Sequence, residues 1–443
     1  MTRLPGGPSG RLLTTYRALS NCFRYFPLWR DRYGDPFTLK VVNGTVVLTA
    51  EPALIQEIFA ADPDLFDPFG SKAIAPLVGS GSLLVLSGET HRRERKLLMP
   101  PFHGSRMRAY GDEMRAATLR WLEGAAEVAS LQAIFQRISL DVIARTVFGV
   151  REASRIDRFG DAVIALIDGV PPSIIFMPFL QVELGGLSPF ARFLRRSAAF
   201  DALLKEEIRR VRETAGGEDI LSLLVTARYD DGAGMDDDSI CSELRTVLVA
   251  GHETTALGLS WAIDHLHRDP VVKARVMAEL DALGPDPGPS ELAAAPYLDA
   301  VCKETLRLYP LVTEVLRTLK RPFRLGSYSL EAGEIVGANI VLSHRSPERF
   351  PDPERFRPER FLERDFTPFE YLPFGGGHRR CIGSAFASFE MKVVLGTLLS
   401  RYRVELVNED PPRPVRRNVT IAPHDGVPVR LRPREAGARP RAA

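Results

Sequence analysis

Apolar residues fall at every second position in Phe37-Thr38-Leu39-Lys40-Val41, and a second apolar run, Thr45-Val46-Val47-Leu48, follows Asn43-Gly44. This pattern predicts a hairpin, with Asn-Gly supplying the two positive-φ positions of a type I′ turn. From about Pro52 to Tyr309 helical patterns dominate. β-like stretches return near Phe323–Val341 and Arg403–Val407, and a last one, Val429-Arg430-Leu431, lies close to the end. No internal repeat is visible. The pattern predicts a mainly α chain with a smaller β-rich part, residues 1–443 forming a single domain. The tail Pro433–Ala443, rich in Arg, Pro and Ala, is expected to be disordered.

One helix dominates the pattern. Asp236-Asp237-Asp238-Ser239 offers N-caps and first-turn carboxylates, and the apolar periodicity runs without a breaker to about His267, ahead of Pro270. Such a helix is roughly 45 Å long at about 1.5 Å per residue. Its middle, Ala250-Gly251-His252-Glu253-Thr254-Thr255, is built from weak helix formers. That predicts a local distortion with a use, or close packing of another helix at Gly251.

Composition narrows the classes. The 443 residues carry a formal net charge of +2, so no global field points to nucleic acid. Cys22, Cys241, Cys302 and Cys381 form no Cys-x-x-Cys pair, which argues against a disulfide framework or a zinc ribbon and suits a reducing compartment. No apolar run at the N-terminus is long enough for a signal peptide or a membrane span, so a soluble, cytoplasmic protein is expected. There the sequon Asn418-Val419-Thr420 would go unused. His252-Glu253 begins like a zinc-hydrolase motif, but Ala256 stands where the second histidine is needed, and His265 and His267 lie too far along the helix.

The chemistry concentrates in Phe374-Gly375-Gly376-Gly377-His378-Arg379-Arg380-Cys381-Ile382-Gly383. A thiol beside arginines at a helix N-terminus is expected to be pushed toward thiolate. A lone thiolate suits one axial bond to a large cofactor, haem iron first among candidates; the alternative is a buried structural cysteine. Phe374, Gly377, Arg379, Cys381 and Gly383 match every fixed position of Phe-x-x-Gly-x-Arg-x-Cys-x-Gly, and the stretch thereby resembles the haem-binding signature of the cytochrome P-450 superfamily.

The resemblance extends along most of the chain. Ala250-Gly251-His252-Glu253-Thr254 is similar to the family's oxygen-activation motif, which implies that Thr254 and Glu253 manage the protons that reduction of O₂ consumes. Glu304-Thr305-Leu306-Arg307 and Phe356-Arg357-Pro358-Glu359-Arg360-Phe361 match two further motifs and imply a buried ion triad of Glu304, Arg307 and Arg360. By the same resemblance His91, Arg95, Arg317 and Arg379 are expected to serve the haem propionates, and Cys381 to be the axial ligand of the iron in haem b. Relatives often carry Trp where His91 stands.

The fold implied is that of a haem-thiolate monooxygenase, acting as a monomer on O₂ and a lipophilic small molecule. With no flavin or reductase module in the chain, electrons are expected from a ferredoxin or flavodoxin with its reductase, drawn by basic residues such as Arg92, Arg93, His378 and Arg380. Leu83–Leu86, Ile164–Leu194, Leu311–Leu316 and Ile421-Ala422, read as a turn, are either pocket lining or ordinary core. A peroxide-using haem enzyme or isomerase of the same fold, and a non-enzymatic haem protein, are the other readings.

Overall fold

The alternating segment folds as a hairpin, but its turn differs from the expected one. In a computed structural model, which describes residues 4–102, 106–168, 180–214 and 216–434, Val41 pairs with Gly44, so the loop residues are Val42 and Asn43. The positive φ of 138° falls on Gly44, the first paired residue of the second strand, and not on Asn43.

The elements that position the site are α1 (Arg11–Ser20), β1 (Phe37–Val41), β2 (Gly44–Thr49), β3 (Phe66–Pro68), α2 (Gly88–Leu98), α3 (Leu131–Phe148), α4 (Asp237–Arg268), α5 (Pro296–Leu308), β4 (Glu314–Leu319), β5 (Ile335–Asn339), α6 (Ser384–Arg401), β6 (Pro414–Arg417) and β7 (Thr420–Pro423). The largest sheet has the order β1-β2-β5-β4-β3. Only its β2–β5 contact is parallel. β6 and β7 form a separate hairpin, and Tyr402–Leu406 lies in a three-stranded sheet with Pro428–Pro433 and Val128–Ser130.

α4 starts and stops where its sequence says. Asp236 caps it by accepting from the Ser239 N–H, Asp237 and Asp238 sit in the first turn, and His265, His267 and Arg268 in the last. It runs through the main hydrophobic core, with Ala256, Leu259, Ala262 and Ile263 fully buried. It stays α-helical through residues 250–255, so the expected distortion is not found. Close packing accounts for the glycine: a Cβ on Gly251 would meet Ile143 Cδ1 of α3 at 3.0 Å. Farther along, a Cβ on Gly258 would meet Met391 Cε of α6 at 3.2 Å.

Other expectations shift by an element. Val341 lies in a short helix, Ile340–His344, because the Asn339 side chain accepts from the Leu342 N–H and starts a helical turn directly after β5. Glu314–Leu319 and residues 420–423 are strands, so Ile421 and Ala422 are in β7 and not in a turn. Pro433 ends a paired strand, opposite Tyr402. The expected disorder from 435 onward, and the prolines 171, 172 and 178, lie outside the described residues.

Candidate active site

The cysteine loop is shaped by backbone that only glycine accepts. Gly375 and Gly377 both have φ of 66°. A Cβ on Gly376 would stand 2.2 Å from the Phe59 ring, and one on Gly377 2.9 Å from the Phe59 carbonyl oxygen. The loop closes on itself through the Cys381 N–H, which donates to Phe374 O at 3.0 Å. Cys381 is the one solvent-accessible cysteine of the four. The protein packed around its sulfur still raises the thiol above its usual range, because desolvation outweighs the Gly383 N–H and the charges of Arg95 and Arg380. The expected push toward thiolate is therefore reversed in the protein alone. Arg379 does not offset it, since its guanidinium turns to the carbonyls of Leu83 and Leu86.

Arg95, Arg317 and Arg379 converge beside this loop with His91, which is neutral at neutral pH. His91 is buried on α2. Its ring is depressed to about 3 by burial, then by Arg379, His378, Arg95 and Arg317. Arg317, on β4 and 1% exposed, is lowered to about 10 by burial and by Arg379. Its Nη2 donates to Gly376 O at 3.1 Å and its Nη1 to Ile58 O at 3.3 Å. Arg379 is lowered to about 10 by burial and Arg95, against the pull of Asp67. Arg95 reaches Arg380 O at 2.7 Å. The His91 and His378 rings stand edge to face at 5.8 Å.

On α4, the Thr254 hydroxyl donates to Ala250 O at 2.7 Å, and Glu253 is ion-paired with Arg417 of β6 at 2.8 Å. The His252 ring bonds the Leu248 carbonyl at 2.9 Å. Next to Thr254, Thr255 bonds Glu390 of α6, which also accepts from Ser139 of α3 at 2.9 Å; burial pushes this carboxyl up to about 8. α6 begins directly after the cysteine loop, so Glu390 ties the Thr254 turn to the helix that follows Cys381. The sequence reading missed Glu390 and Arg417. A lone carboxylate inside the apolar run 384–391 was a signal for the first; nothing local marked the second.

Behind the loop, Glu304 and Arg307 of α5 are fully buried and Arg360 is 3% exposed. Arg307 grips Glu304 with two bonds of 2.7 and 2.9 Å, Arg360 adds one of 3.1 Å, and the Arg357 N–H another of 2.8 Å. Further arginine donors go to the carbonyls of His344, Pro351, Asp352 and Arg355.

The cytochrome P-450 family model matches residues 9–427. The chain belongs to the cytochrome P-450 family. It is 36% identical to cytochrome P-450 135B1 of Mycobacterium tuberculosis over 97% of this chain and 91% of that protein. It is 34% identical to cytochrome P-450 138 of the same organism, over 91% and 90% of the two chains. Among solved structures, the retinoic acid-bound cyanobacterial CYP120A1 superposes with a TM-score of 0.86 at 25% identity, covering 98% of this chain and all of that one. The cytochrome P-450DA haem domain gives 0.87 over 99% of each. As a cytochrome P-450, the protein is a haem-thiolate monooxygenase of the superfamily's mixed, mainly helical fold.

The residues present fit haem. The set around His91 and Arg317 is positively charged, largely buried and mutually repulsive, and the Arg317 Nε–H is buried with no partner. Two propionates are the kind of anion such a cluster accepts. The cytochrome P-450's expected basic docking face is less basic than its sequence. Arg92 pairs with Glu89 and Asp64, Arg93 with Asp231, and Lys96 with Asp230. His378 is depressed to about 4, chiefly by burial, and is neutral at neutral pH. Arg380 is exposed at the surface. No helix among the described residues is long and apolar enough to cross a membrane.

Proposed function

We propose that this cytochrome P-450 inserts one oxygen atom of O₂ into a lipophilic organic molecule, by hydroxylation or epoxidation, with electrons from a separate ferredoxin or flavodoxin and its reductase. In this reading residues 1–443 act as one domain and as a monomer in the cytoplasm. Bound haem b supplies the reductive activation of O₂ and the oxygen transfer.

The chain's own residues have four tasks. Cys381 would hold the haem iron, on a loop whose shape Phe374 and Gly377 maintain and beside which Gly383 leaves open space. Arg95, Arg317 and Arg379 would neutralise the propionates, and His91 would serve them as a neutral hydrogen-bonding ring. Thr254 orients and donates a proton at its Oγ1, and Glu253 brings protons toward it from the side of half-exposed Arg417. Glu304, Arg307 and Arg360 hold the back of the loop rigid.

The observation that carries the reading is exposed Cys381 beside Arg95, Arg317 and Arg379, whose charges depress His91 and one another. Retinoic acid in the solved cyanobacterial relative, a long apolar acid, supports a lipophilic substrate. The first test is the carbon monoxide difference spectrum of the reduced protein, which must change in Cys381→Ala. The second is a titration of the haem band with retinoic acid, fatty acids, terpenes, steroids and macrolides, followed by NADH-driven turnover with a ferredoxin system. Turnover supported by peroxide alone would favour the peroxide-using reading.

A further inference from the structure

Two buried carboxyl groups, Glu94 on α2 and Glu243 on α4, form no ion pair among the described residues and have no part in the proton handling at Thr254. Glu94 Oε1 accepts from the Tyr229 hydroxyl at 2.7 Å, while its Oε2 is buried without a hydrogen-bond partner. Glu243 Oε1 accepts from the Leu83 N–H at 2.7 Å. Burial pushes the Glu243 carboxyl up to about 8; the Leu83 N–H holds it back and the like charge of Glu94 raises it further.

The other charges on the surrounding elements are engaged elsewhere, and none acts on Glu243. Arg245, on the same helix, holds Asp201 of helix Pro189–Thr214 at 3.1 Å and the carbonyls of Pro76 and Leu77. Lys205 holds Asp238, and on α3 Asp141 holds Arg120 and Arg145. Lys72 is the one titratable residue of helix Ser71–Val78; helix Ile220–Thr226 and residues 79–86 have none. The pair nevertheless has an outer and an inner end. Outside, half-buried Tyr229 stands in the wall of a cleft of about 590 Å³, with the Arg93 guanidinium 3.9 Å over its ring. Burial, then the bond to Glu94, keeps the Tyr229 hydroxyl protonated; Arg93 opposes this and Asp236 adds to it. Inside, Leu83 O accepts from Arg379 Nη1 at 3.4 Å, and the Thr246 hydroxyl fixes the same segment by donating to Ser82 Oγ at 2.6 Å. Glu94 is also next in sequence to Arg95. Both ends of the pair thus adjoin residues assigned to the haem propionates.

We propose that Glu94 and Glu243 form a proton-loading pair, filled from the Tyr229 cleft, whose occupancy follows the charge on the haem. Two buried carboxyls without a cation do not both ionise readily, so the pair holds a proton at neutral pH. An electron that reaches the haem adds negative charge to the site and favours protonation of the pair. Where Glu243 is ionised before reduction, one electron from the donor is then accompanied by one proton from cleft water, which forms the O–H bond on Glu243; reoxidation returns that proton. Where Glu243 is already protonated, the electron arrives alone. The loaded pair therefore keeps the haem easier to reduce at neutral pH than an ionised pair would. The inference rests on haem being bound, and not on the substrate or the electron donor.

The test is the midpoint potential of the haem-loaded, full-length protein, measured with redox mediators from mild acid to mild alkali. The wild-type potential should begin to fall as pH rises past about 8, with a limiting slope of about 59 mV per pH unit for one proton per electron. Glu243→Gln mimics the protonated acid and keeps an acceptor for the Leu83 N–H. Its potential should match wild type at neutral pH and lie above it in alkali. Glu94→Gln removes the like charge and should move the break to lower pH. In the haem-free protein, the infrared carboxyl band that titrates near 8 should lose one component in Glu243→Gln and the other in Glu390→Gln. The proposal is overturned if the wild-type potential is flat, if Glu243→Gln follows the wild-type curve, or if Glu243→Gln leaves the carboxyl band intact. The carbon monoxide band of each variant reports thiolate ligation separately, so a failure of the monooxygenase reading is distinguishable from a failure of this one.

Discussion

Arg417 Nε stands 2.8 Å from Glu253 Oε1. The carboxylate that would move protons is thus held from outside α4, by the last residue of β6. Glu253→Gln removes the proton carrier and is expected to lower NADH-driven turnover by about 10²-fold or more. Arg417→Gln keeps the acid and removes only its anchor. A smaller loss is expected, with a solvent isotope effect that differs from wild type and an unchanged haem-band titration by substrate. If both variants turn over like wild type with the same isotope effect, Glu253 has no part in proton handling.

Glu304 accepts four hydrogen bonds at full burial, from Arg307 twice, from Arg360 and from the Arg357 N–H. Glu304→Ala strands two guanidinium groups in the interior, a change that costs about 3–5 kcal/mol. The expected product is protein without haem, with a lowered urea midpoint, and not a haem protein of low activity. Arg307→Ala should behave alike, since it leaves Glu304 charged and buried. A folded, haem-loaded Glu304→Ala would separate this triad from the integrity of the cysteine loop.

Glu390 gives the stability a pH dependence with a definite sign. Its folded value of about 8 lies above that of an unfolded glutamate, 4.5, because burial disfavours the charged form. Between those values the folded state binds more protons than the unfolded state, so this group's contribution is complete below 4.5 and is lost as pH rises through about 8. Glu390→Gln mimics the protonated acid and keeps the partners Ser139 and Thr255. Its urea midpoint should match wild type below pH 4.5 and exceed it increasingly as pH rises to about 8. A midpoint that tracks wild type across the range would mean that Glu390 stays charged in the folded protein.

How far the sequence reached follows from what each feature depends on. The cysteine loop and the two arginine motifs were legible because they are contiguous strings with fixed spacing, and α4 was legible because its caps and period agree. The pairing of Glu253 with Arg417 was not, since nothing near either residue names the other. The charge on α2 was overread in part for the same reason: Asp231 and Asp230, which pair with Arg93 and Lys96, arrive from a distant loop, whereas Glu89, which pairs with Arg92, is local. The sign of the Cys381 shift was also out of reach, because desolvation is set by packing and the helix dipole argument sees only neighbours along the chain.

Gly377 and Gly383 are equal in the signature but not in the fold, and this separates two reasons for a glycine. Gly377 has a φ of +66°, and an added Cβ would meet Phe59 O at 2.9 Å and Arg317 Nη2 at 3.2 Å. Gly377→Ala therefore combines left-handed strain of about 1–2 kcal/mol with displacement of a buried cation. It should lower both the stability of the haem-free protein and its haem content. Gly383 has φ of −84°, and nothing lies within 4 Å of its added Cβ. Gly383→Ala should leave the urea midpoint of the haem-free protein unchanged. If that variant then takes up less haem, or shows a displaced carbon monoxide band, Gly383 is required by the bound porphyrin and not by the polypeptide. If it loses stability before haem is added, the loop's shape depends on more than the contacts around Phe59 and Arg317.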